Sequence, residues 1–480
     1  MTPRGWPPRT RRAALAACAA ALACGFAFFL FVVPSTPVRL EKTSAELDRR
    51  LGLWRLLRAH LAPGLHGPEL LAALAAAACA CFVAYGLAVA LVRGLPRTRA
   101  LVVTLVVTAT LFTVMSALAL PNFDSDVYTY IATGRVAAVH GQDPYAVATD
   151  RFPADPFFRY QLRNYTHHPD IKLPAWMPLN VALAKVAGND PVRGLLTYRG
   201  ALAALALANL FLVLLIVRSL RPGEVAVAAV AWGWNPIVVL FGPSKADTLM
   251  VFFVLLAVLA LTRLRQHVAV VFLTLATFVK LLAAPFLVVL VLQDARRGRW
   301  RSAAKSLALV ALVVAALYAP YSHPWALLGN HLRLANTAGA GGTQANSGAR
   351  LLLLGLGGAL VAALALRRER TLPDLLRLWA AIGLVIGVAV AAGEFPWYLL
   401  TFVAVTVLAG DLLLLAGMSV LGLVSFLAYE RRGASTAAHP LPRLSPLSLG
   451  SSVAVLVAAT AIVFAIVKLR RRGDYSSVTD

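Results

Sequence analysis

Long apolar segments separated by short arginine clusters constrain the fold of this chain more than any other feature. Residues 13–33 supply about 21 residues, and a transmembrane helix needs about 20 to cross the roughly 30 Å hydrocarbon core. Hydrophobic residues make up 60% of the 480 residues and charged residues only 14%, which excludes an ordinary soluble domain. The sequence therefore predicts a single integral membrane domain over residues 1–480, all α-helical and polytopic. Similar segments follow at 70–92, 100–120, 195–217, 225–241, 248–261, 303–319, 351–366, 375–392, 398–426 and 453–467.

The distribution of charge sets the predicted orientation. Lysine and arginine number 45 against 21 acidic residues, a formal net charge of +24, and the basic residues cluster between apolar segments, as at 93–99 and 296–301. Cytoplasmic loops carry such an excess, so the charge indicates topology and argues against a nucleic-acid partner. The N-terminus is then cytoplasmic, and segment 13–33 is longer than the 7–15-residue core of a signal peptide. The alanine- and arginine-rich composition is typical of bacteria, which predicts a multi-pass protein of the bacterial plasma membrane.

Residues 267–292 depart from this pattern, because basic clusters flank the apolar segment on both sides. A single crossing would leave one cluster outside. Lys280 and Pro285 interrupt the segment midway, which predicts a re-entrant pair of short helices that enters the membrane and returns to the cytoplasm. With this pair, about 12–14 transmembrane or re-entrant helices are expected. An ionisable residue at that depth costs about 2.5 to 3.5 kcal/mol, so Lys280 is expected to face a polar cavity.

Three segments expected outside the membrane, 121–190, 321–349 and 393–397, hold most of the unusual polar residues. Residues 121–190 form the predicted external catalytic loop, and residues 321–349, rich in glycine, form the predicted external flexible loop. The first begins with Asp124 and Asp126, directly after a predicted span. If a helix begins here, Asp126 and Tyr130 share one of its faces. The alternative is that both aspartates only cap the start of that helix.

Several short motifs follow one another in an order typical of one enzyme family. They are Asp126-Val-Tyr-Thr-Tyr130, His140-Gly-Gln-Asp-Pro-Tyr145, Trp234-Asn-Pro236 followed by Asp247, and Phe395-Pro-Trp-Tyr398. Together they resemble the polyprenyl-phosphate-mannose-dependent mannosyltransferases of actinobacteria, membrane enzymes of the GT-C type that elongate lipomannan and related glycans. The resemblance runs from residue 100 to residue 398. Where the family has His-Asn before the second aspartate, this chain has Lys245 and Ala246.

The resemblance implies a GT-C glycosyltransferase that transfers mannose, with inversion, from a polyprenyl-phosphate-mannose lipid to a mannan or glycolipid acceptor on the external face of the membrane. A phosphate leaving group needs no strong acid, but the acceptor hydroxyl needs a base. The candidate base is Asp126, with Asp124 as its orienter or a metal ligand and Glu394 as the rival base. Cations must stabilise the departing phosphate, and the candidates are Lys280, Lys245 and Arg333. Candidates for binding the sugar or acceptor are Tyr130, Tyr145, Asp247, Glu394 and Trp397.

Cofactors and other functions stay open at this point. The sequence requires no cofactor, but a divalent cation is an alternative, with His167 and His168 as weak candidate ligands because adjacent residues rarely face one site. The same scaffold could use arabinose or glucose on the lipid donor. A secondary transporter or lipid flippase is the alternative from another class. Transporters place their ionisable groups near the bilayer midplane, however, whereas the aspartates of the first loop cluster in one external segment.

Overall fold

The computed structural model describes residues 6–32, 67–119, 126–161, 163–321, 326, 371–392 and 396–434. Within these residues the chain is α-helical and forms no strand, which confirms the predicted fold class. The α-helices are α1 (Pro8–Ala27), α2 (Gly67–Val92), α3 (Arg99–Leu118), α4 (Asp126–Ala138), α5 (Arg163–Thr166), α6 (Met177–Ala187), α7 (Pro191–Leu220), α8 (Val225–Gly233), α9 (Pro236–Phe241), α10 (Asp247–Thr262), α11 (Gln266–Val279), α12 (Ala284–Arg296), α13 (Trp300–Tyr318), α14 (Leu372–Ala392), α15 (Leu400–Ala409) and α16 (Leu412–Ala434).

Five helices of the described residues are long and apolar enough to cross a membrane. They are Pro8–Phe31, Leu71–Val92, Arg99–Leu118, Pro191–Leu220 and Trp300–Tyr318. A sixth crossing results if Pro222–Gly233 and Pro236–Ser244, which meet at 54°, count as one bent span. The number expected from the sequence is larger, and two of its segments, 351–366 and 453–467, lie outside the described residues, as does most of segment 321–349.

The candidate spans expose large apolar side chains, as contact with lipid requires. Leu111 on α3 and Phe211 on α7 are both exposed. Inside the bundle, small residues let helices approach closely, since a Cβ added to Gly233 would lie only 2.5 Å from the Cβ of Ala109. Lipid tails are as apolar as these exposed side chains, so the outward apolar surface is stable in a bilayer. The described helices therefore have the surface of a membrane protein.

The predicted span 225–241 consists of two helices, α8 and α9, which meet at a bend. Asn235 Oδ1 accepts the backbone N–H of Ile237 at 3.0 Å and so caps the start of α9. Pro236 occupies the first turn, where a missing N–H leaves no bond unmade. The Trp234 indole donates to the Leu105 carbonyl at 3.2 Å and fixes the bend to α3. The Trp-Asn-Pro motif thus ends one helix and starts another, and the chain is turned toward the start of α10.

Helices α11 and α12 form a hairpin with Lys280 at its apex. They have 14 and 13 residues, so one straight helix of that length would separate its ends by about 40 Å. Instead, Gln266 at the start of α11 donates a hydrogen bond to the carboxylate of Asp294 near the end of α12. Lys280 itself is extended, with φ −160° and ψ 134°. The hairpin has the two short helices expected from the sequence, and its re-entry into a membrane stays a prediction.

Residues 126–190, called the lobe below, pack as a helical layer against α7. Gly134 of α4 faces Asn180 of α6 so closely that a Cβ there would lie 2.9 Å from the Asn180 backbone oxygen. Tyr198 of α7 donates to the Asn180 side-chain oxygen at 2.7 Å. These contacts join α4, α6 and α7. They fix the position of Asp126, the first residue of α4, relative to the long helices.

Candidate active site

Asp126 and Lys245, predicted respectively as a base and a phosphate ligand, are in direct contact. Asp126 begins α4, Lys245 follows the 3₁₀ helix Gly242–Ser244, and Lys245 Nζ lies 3.1 Å from Asp126 Oδ2. The Lys245 side chain is 0% exposed, whereas that of Asp126 is 20% exposed. A buried ammonium needs a partner of opposite charge. Asp126 supplies that charge and is still reachable from outside the protein.

A second ion pair joins Lys280 to Asp247. Lys280 Nζ lies 2.8 and 3.1 Å from the two carboxylate oxygens of Asp247, the first residue of α10. The Asp247 side chain is 3% exposed and that of Lys280 is 22% exposed. The polar partner that an ionisable residue in an apolar hairpin requires is therefore Asp247. Its proposed contact with sugar stays a prediction, since both of its oxygens face Lys280 here.

Two aromatic rings lie over the two ammonium groups. The 3₁₀ helix Pro396–Leu399 places Trp397 with its ring centre 3.4 Å from Lys245 Nζ and Tyr398 with its ring centre 3.3 Å from Lys280 Nζ. The negative face of an aromatic ring attracts a cation, and more strongly where water is excluded. Trp397, predicted to bind sugar, therefore contacts a lysine. Tyr398, the next residue of the same motif, contacts the other lysine.

Tyr130 lies one helical turn after Asp126, as the sequence predicts. Its hydroxyl lies 3.4 Å from Asp126 Oδ2, and its ring packs edge-on against Trp176 at 5.2 Å between ring centres. Burial raises the pKa of Tyr130 well above its ordinary value, and the charge of Asp126 adds to the effect. The phenol therefore keeps its proton. It donates to the carboxylate oxygen that also accepts from Lys245.

Lys172 reaches the same place from the loop before α6, and sequence reasoning did not select it. Its Nζ lies 5.1 Å from the centre of the Tyr130 ring. Burial lowers the pKa of Lys172, but the charges of Asp126 and Asp247 outweigh burial, and the pKa is raised above its ordinary value. The ammonium is therefore charged at neutral pH. The local sequence Pro169-Asp-Ile-Lys-Leu173 contains no motif that distinguishes this lysine from one on a solvated loop.

Together these residues form a lysine–aspartate cluster, which consists of Asp126, Lys172, Lys245, Asp247 and Lys280. Its three ammonium groups outnumber its two carboxylates by one. Such a cluster can hold an anionic group beside a carboxylate that accepts a proton. The cluster therefore contains both groups that such a transfer needs, which are cations for a phosphate leaving group and a carboxylate for the proton of an acceptor hydroxyl.

Tyr145, another predicted site residue, is not brought into this cluster. Tyr145 packs edge-on against Tyr321, with 4.7 Å between ring centres, in a small separate group with Met177. Any contact of Tyr145 with sugar stays a prediction. The remaining candidates, Asp124, Arg333 and Glu394, lie outside the described residues.

Among the described residues, His167 and His168 are not part of a group of three or more potential metal ligands. His167 is 73% exposed, and its Nδ1 lies 2.9 Å from Asp150 Oδ2, while His168 beside it is half-buried. In the part of the chain that the structure describes, no group of three or more His, Cys, Asp or Glu side chains is placed to hold a metal ion. The geometry therefore gives no support to His167 and His168 as ligands.

Comparison with known proteins identifies the family. The family model described as "Alpha-(1->6)-mannopyranosyltransferase, N-terminal domain" matches residues 42–296, just over half of the chain. All five residues of the lysine–aspartate cluster lie inside this range. The comparisons with curated proteins and with solved structures gave no match. The chain therefore belongs to the alpha-(1->6)-mannopyranosyltransferase family, and it is a mannosyltransferase with helices suited to crossing a membrane.

Proposed function

We propose that this protein transfers mannose from a polyprenyl-phosphate-mannose donor to a mannan or glycolipid acceptor at the external face of the membrane, with inversion and with Asp126 as general base. The observation that carries the proposal is the convergence of one partly exposed carboxylate with three lysines from separate parts of the chain. A lipid-linked phosphate sugar offers this site both an anion for the lysines and a reacting carbon beside the carboxylate.

The reaction is a single displacement. The acceptor hydroxyl attacks C1 of mannose, the bond from C1 to the phosphate oxygen breaks, and its electron pair stays on that oxygen. The hydroxyl proton passes to Asp126. A single displacement inverts the configuration at C1 and requires one carboxylate, whereas a double displacement requires a second as nucleophile. Asp247 is a poor second carboxylate, because it is 3% exposed and both of its oxygens face Lys280.

The lysines have different roles in this mechanism. Lys280 is the one partly exposed ammonium of the two ion pairs, so it contacts the donor phosphate. Lys245 is fully buried against Asp126 and Trp397, so it positions the base and does not reach the phosphate. This modifies the sequence-based hypothesis, in which both lysines bind phosphate. The position where the related family has histidine thus holds a lysine paired with Asp126.

A donor competition tests the proposal. The purified full-length protein is incubated with polyprenyl-phosphate mannose, glucose and arabinose and with short mannoside acceptors, and the released polyprenyl phosphate and the glycan product are measured. We expect only the mannose donor to be consumed and the product linkage to have inverted configuration. Consumption of arabinose or glucose instead, or retained configuration, would refute the assigned donor or mechanism.

A further inference from the structure

We propose that Lys172 is a further ligand of the donor phosphate, supplied by the lobe and not by the long helices. The inference deepens the proposed function and rests on it. It adds a direct contact between this side chain and a non-bridging oxygen of the phosphate.

The three lysines of the cluster differ in what their ammonium groups already contact. Lys245 is paired with Asp126, and Lys280 is paired with both oxygens of Asp247. Within the described residues, Lys172 Nζ makes no hydrogen bond or ion pair, and it lies 5.1 Å from the centre of the Tyr130 ring. An ammonium carries three donors. Those of Lys172 are available to a ligand without breaking an existing pair.

Backbone contacts fix where Lys172 stands. The carboxylate of Asp170 accepts the Lys172 N–H at 2.8 Å, and the Asp170 N–H donates to the Pro144 carbonyl at 2.8 Å. Three residues after Lys172, the Ala175 N–H donates to the Phe278 carbonyl at 3.0 Å, two residues before the apex of the α11–α12 hairpin. The short segment is therefore held at both ends. A side chain on a fixed segment loses less conformational entropy when it binds a ligand.

The charge of Lys172 is also the one that the cluster leaves unbalanced. Asp126 pairs with Lys245 and Asp247 pairs with Lys280, so the third ammonium gives these five residues a formal charge of +1; Asp170, a further buried carboxylate nearby, accepts the backbone N–H of Lys172. A phosphodiester donor carries one negative charge, and its phosphate gains a second as the bond to the sugar breaks. A cation already positioned beside that phosphate stabilises the transition state more than the ground state, because the negative charge on the phosphate grows as the bond breaks.

Binding of polyprenyl phosphate, which carries the phosphate without the sugar, tests this assignment on the full-length protein. Lys172→Met is compared with Lys172→Arg and with Lys185→Met, which removes an exposed lysine of α6 in the same lobe. We expect Lys172→Met to weaken binding about ten- to a hundredfold, the range for losing a hydrogen bond to a charged group. Lys172→Arg keeps the charge and most of the affinity. Lys185→Met leaves the affinity unchanged.

Unchanged affinity in Lys172→Met, or an equal loss in Lys185→Met, overturns the assignment. If Lys172→Met does not fold, Lys172→Gln removes the same charge and is judged by the same criterion. The donor competition described above is a separate test. A protein that binds polyprenyl phosphate through Lys172 but transfers no mannose refutes the proposed function and leaves the phosphate contact standing.

Discussion

Replacing Asp126 by asparagine separates two roles that the structure combines in one side chain. Asp126 is the counterion of a fully buried ammonium, 3.1 Å from Lys245 Nζ, and it is also the proposed base. Removing one partner of a buried ion pair costs about 3 to 5 kcal/mol. Asparagine still offers an oxygen to Lys245 and Tyr130, so we expect a loss of stability near the lower end, about 3 kcal/mol. Low activity of Asp126→Asn alone therefore does not identify a base.

The double variant Asp126→Asn/Lys245→Met resolves the ambiguity. It removes both charges of the pair, so no uncompensated ammonium is left in the interior. Replacing a buried ion pair by hydrophobic residues of similar volume is often neutral or stabilising, and here methionine takes the buried position while the polar amide takes the partly exposed one. We expect thermal stability in detergent to return close to that of the wild type. A missing general base is not restored by this change, and its loss lowers the rate by about 10² to 10⁴.

The assay is turnover of polyprenyl-phosphate-mannose, measured beside thermal unfolding for the wild type, both single variants and the double variant. Lys245→Met keeps the partly exposed carboxylate, so it should retain far more activity than Asp126→Asn. If the double variant recovers both stability and turnover to the level of Lys245→Met, then Asp126 serves only as a counterion. The base would then be sought among Asp124 and Glu394, as Asp124→Asn and Glu394→Gln can show.

Three further predictions follow from the fold. In a cysteine-free background, His167→Cys should react with an impermeant thiol reagent from outside intact cells and Thr98→Cys should not; the reverse result would overturn the predicted orientation. Lys280→Met should raise the donor KM about tenfold or more, since it removes a charged hydrogen bond, and an unchanged KM would reduce Lys280 to a hairpin residue. Gly134→Ala places a Cβ 2.9 Å from a backbone oxygen and should cost about 1–3 kcal/mol of stability, measured by thermal unfolding. Gly200→Ala is the control, because a Cβ there meets no atom within 4 Å, and equal stability of the two variants would contradict the packing described.

Much of the helical architecture could be predicted because apolar length and arginine clusters are properties of continuous segments. The positions at which a helix breaks within an apolar segment are harder to predict. Segment 398–426 contains two α-helices, because Gly410 has φ +68° and Asp411 caps the second helix by accepting the Leu413 N–H at 3.1 Å. Segment 225–241 contains a break that its apolar length does not reveal, although Asn235 before Pro236 is a local signal for a helix boundary. Both breaks carry a signal only a few residues long.

Individual residues of the candidate site could be predicted from the sequence, but the contacts between them could not. Asp126 and Tyr130 follow from helical spacing, and Lys280 follows from the cost of a charge in an apolar segment. The partner of Asp126 is 119 residues away in sequence, and no local pattern encodes such a contact. The local sequence does not distinguish Lys172 from other loop lysines. Backbone hydrogen bonds, which no short motif encodes, place it near Asp126 and Asp247.

The charges of the cluster match the charge that moves in the proposed reaction. Before transfer, the donor phosphodiester carries −1 and the lysine–aspartate cluster carries +1. During transfer the phosphate takes the bonding electrons and becomes −2, while the acceptor proton neutralises Asp126 and raises the cluster to +2. The sum stays at zero, and the added charges develop a few ångströms apart, where a site poor in water strengthens their attraction. In this scheme Lys245, whose Nζ lies 3.1 Å from Asp126 Oδ2, holds the base in position until the acceptor proton reaches it.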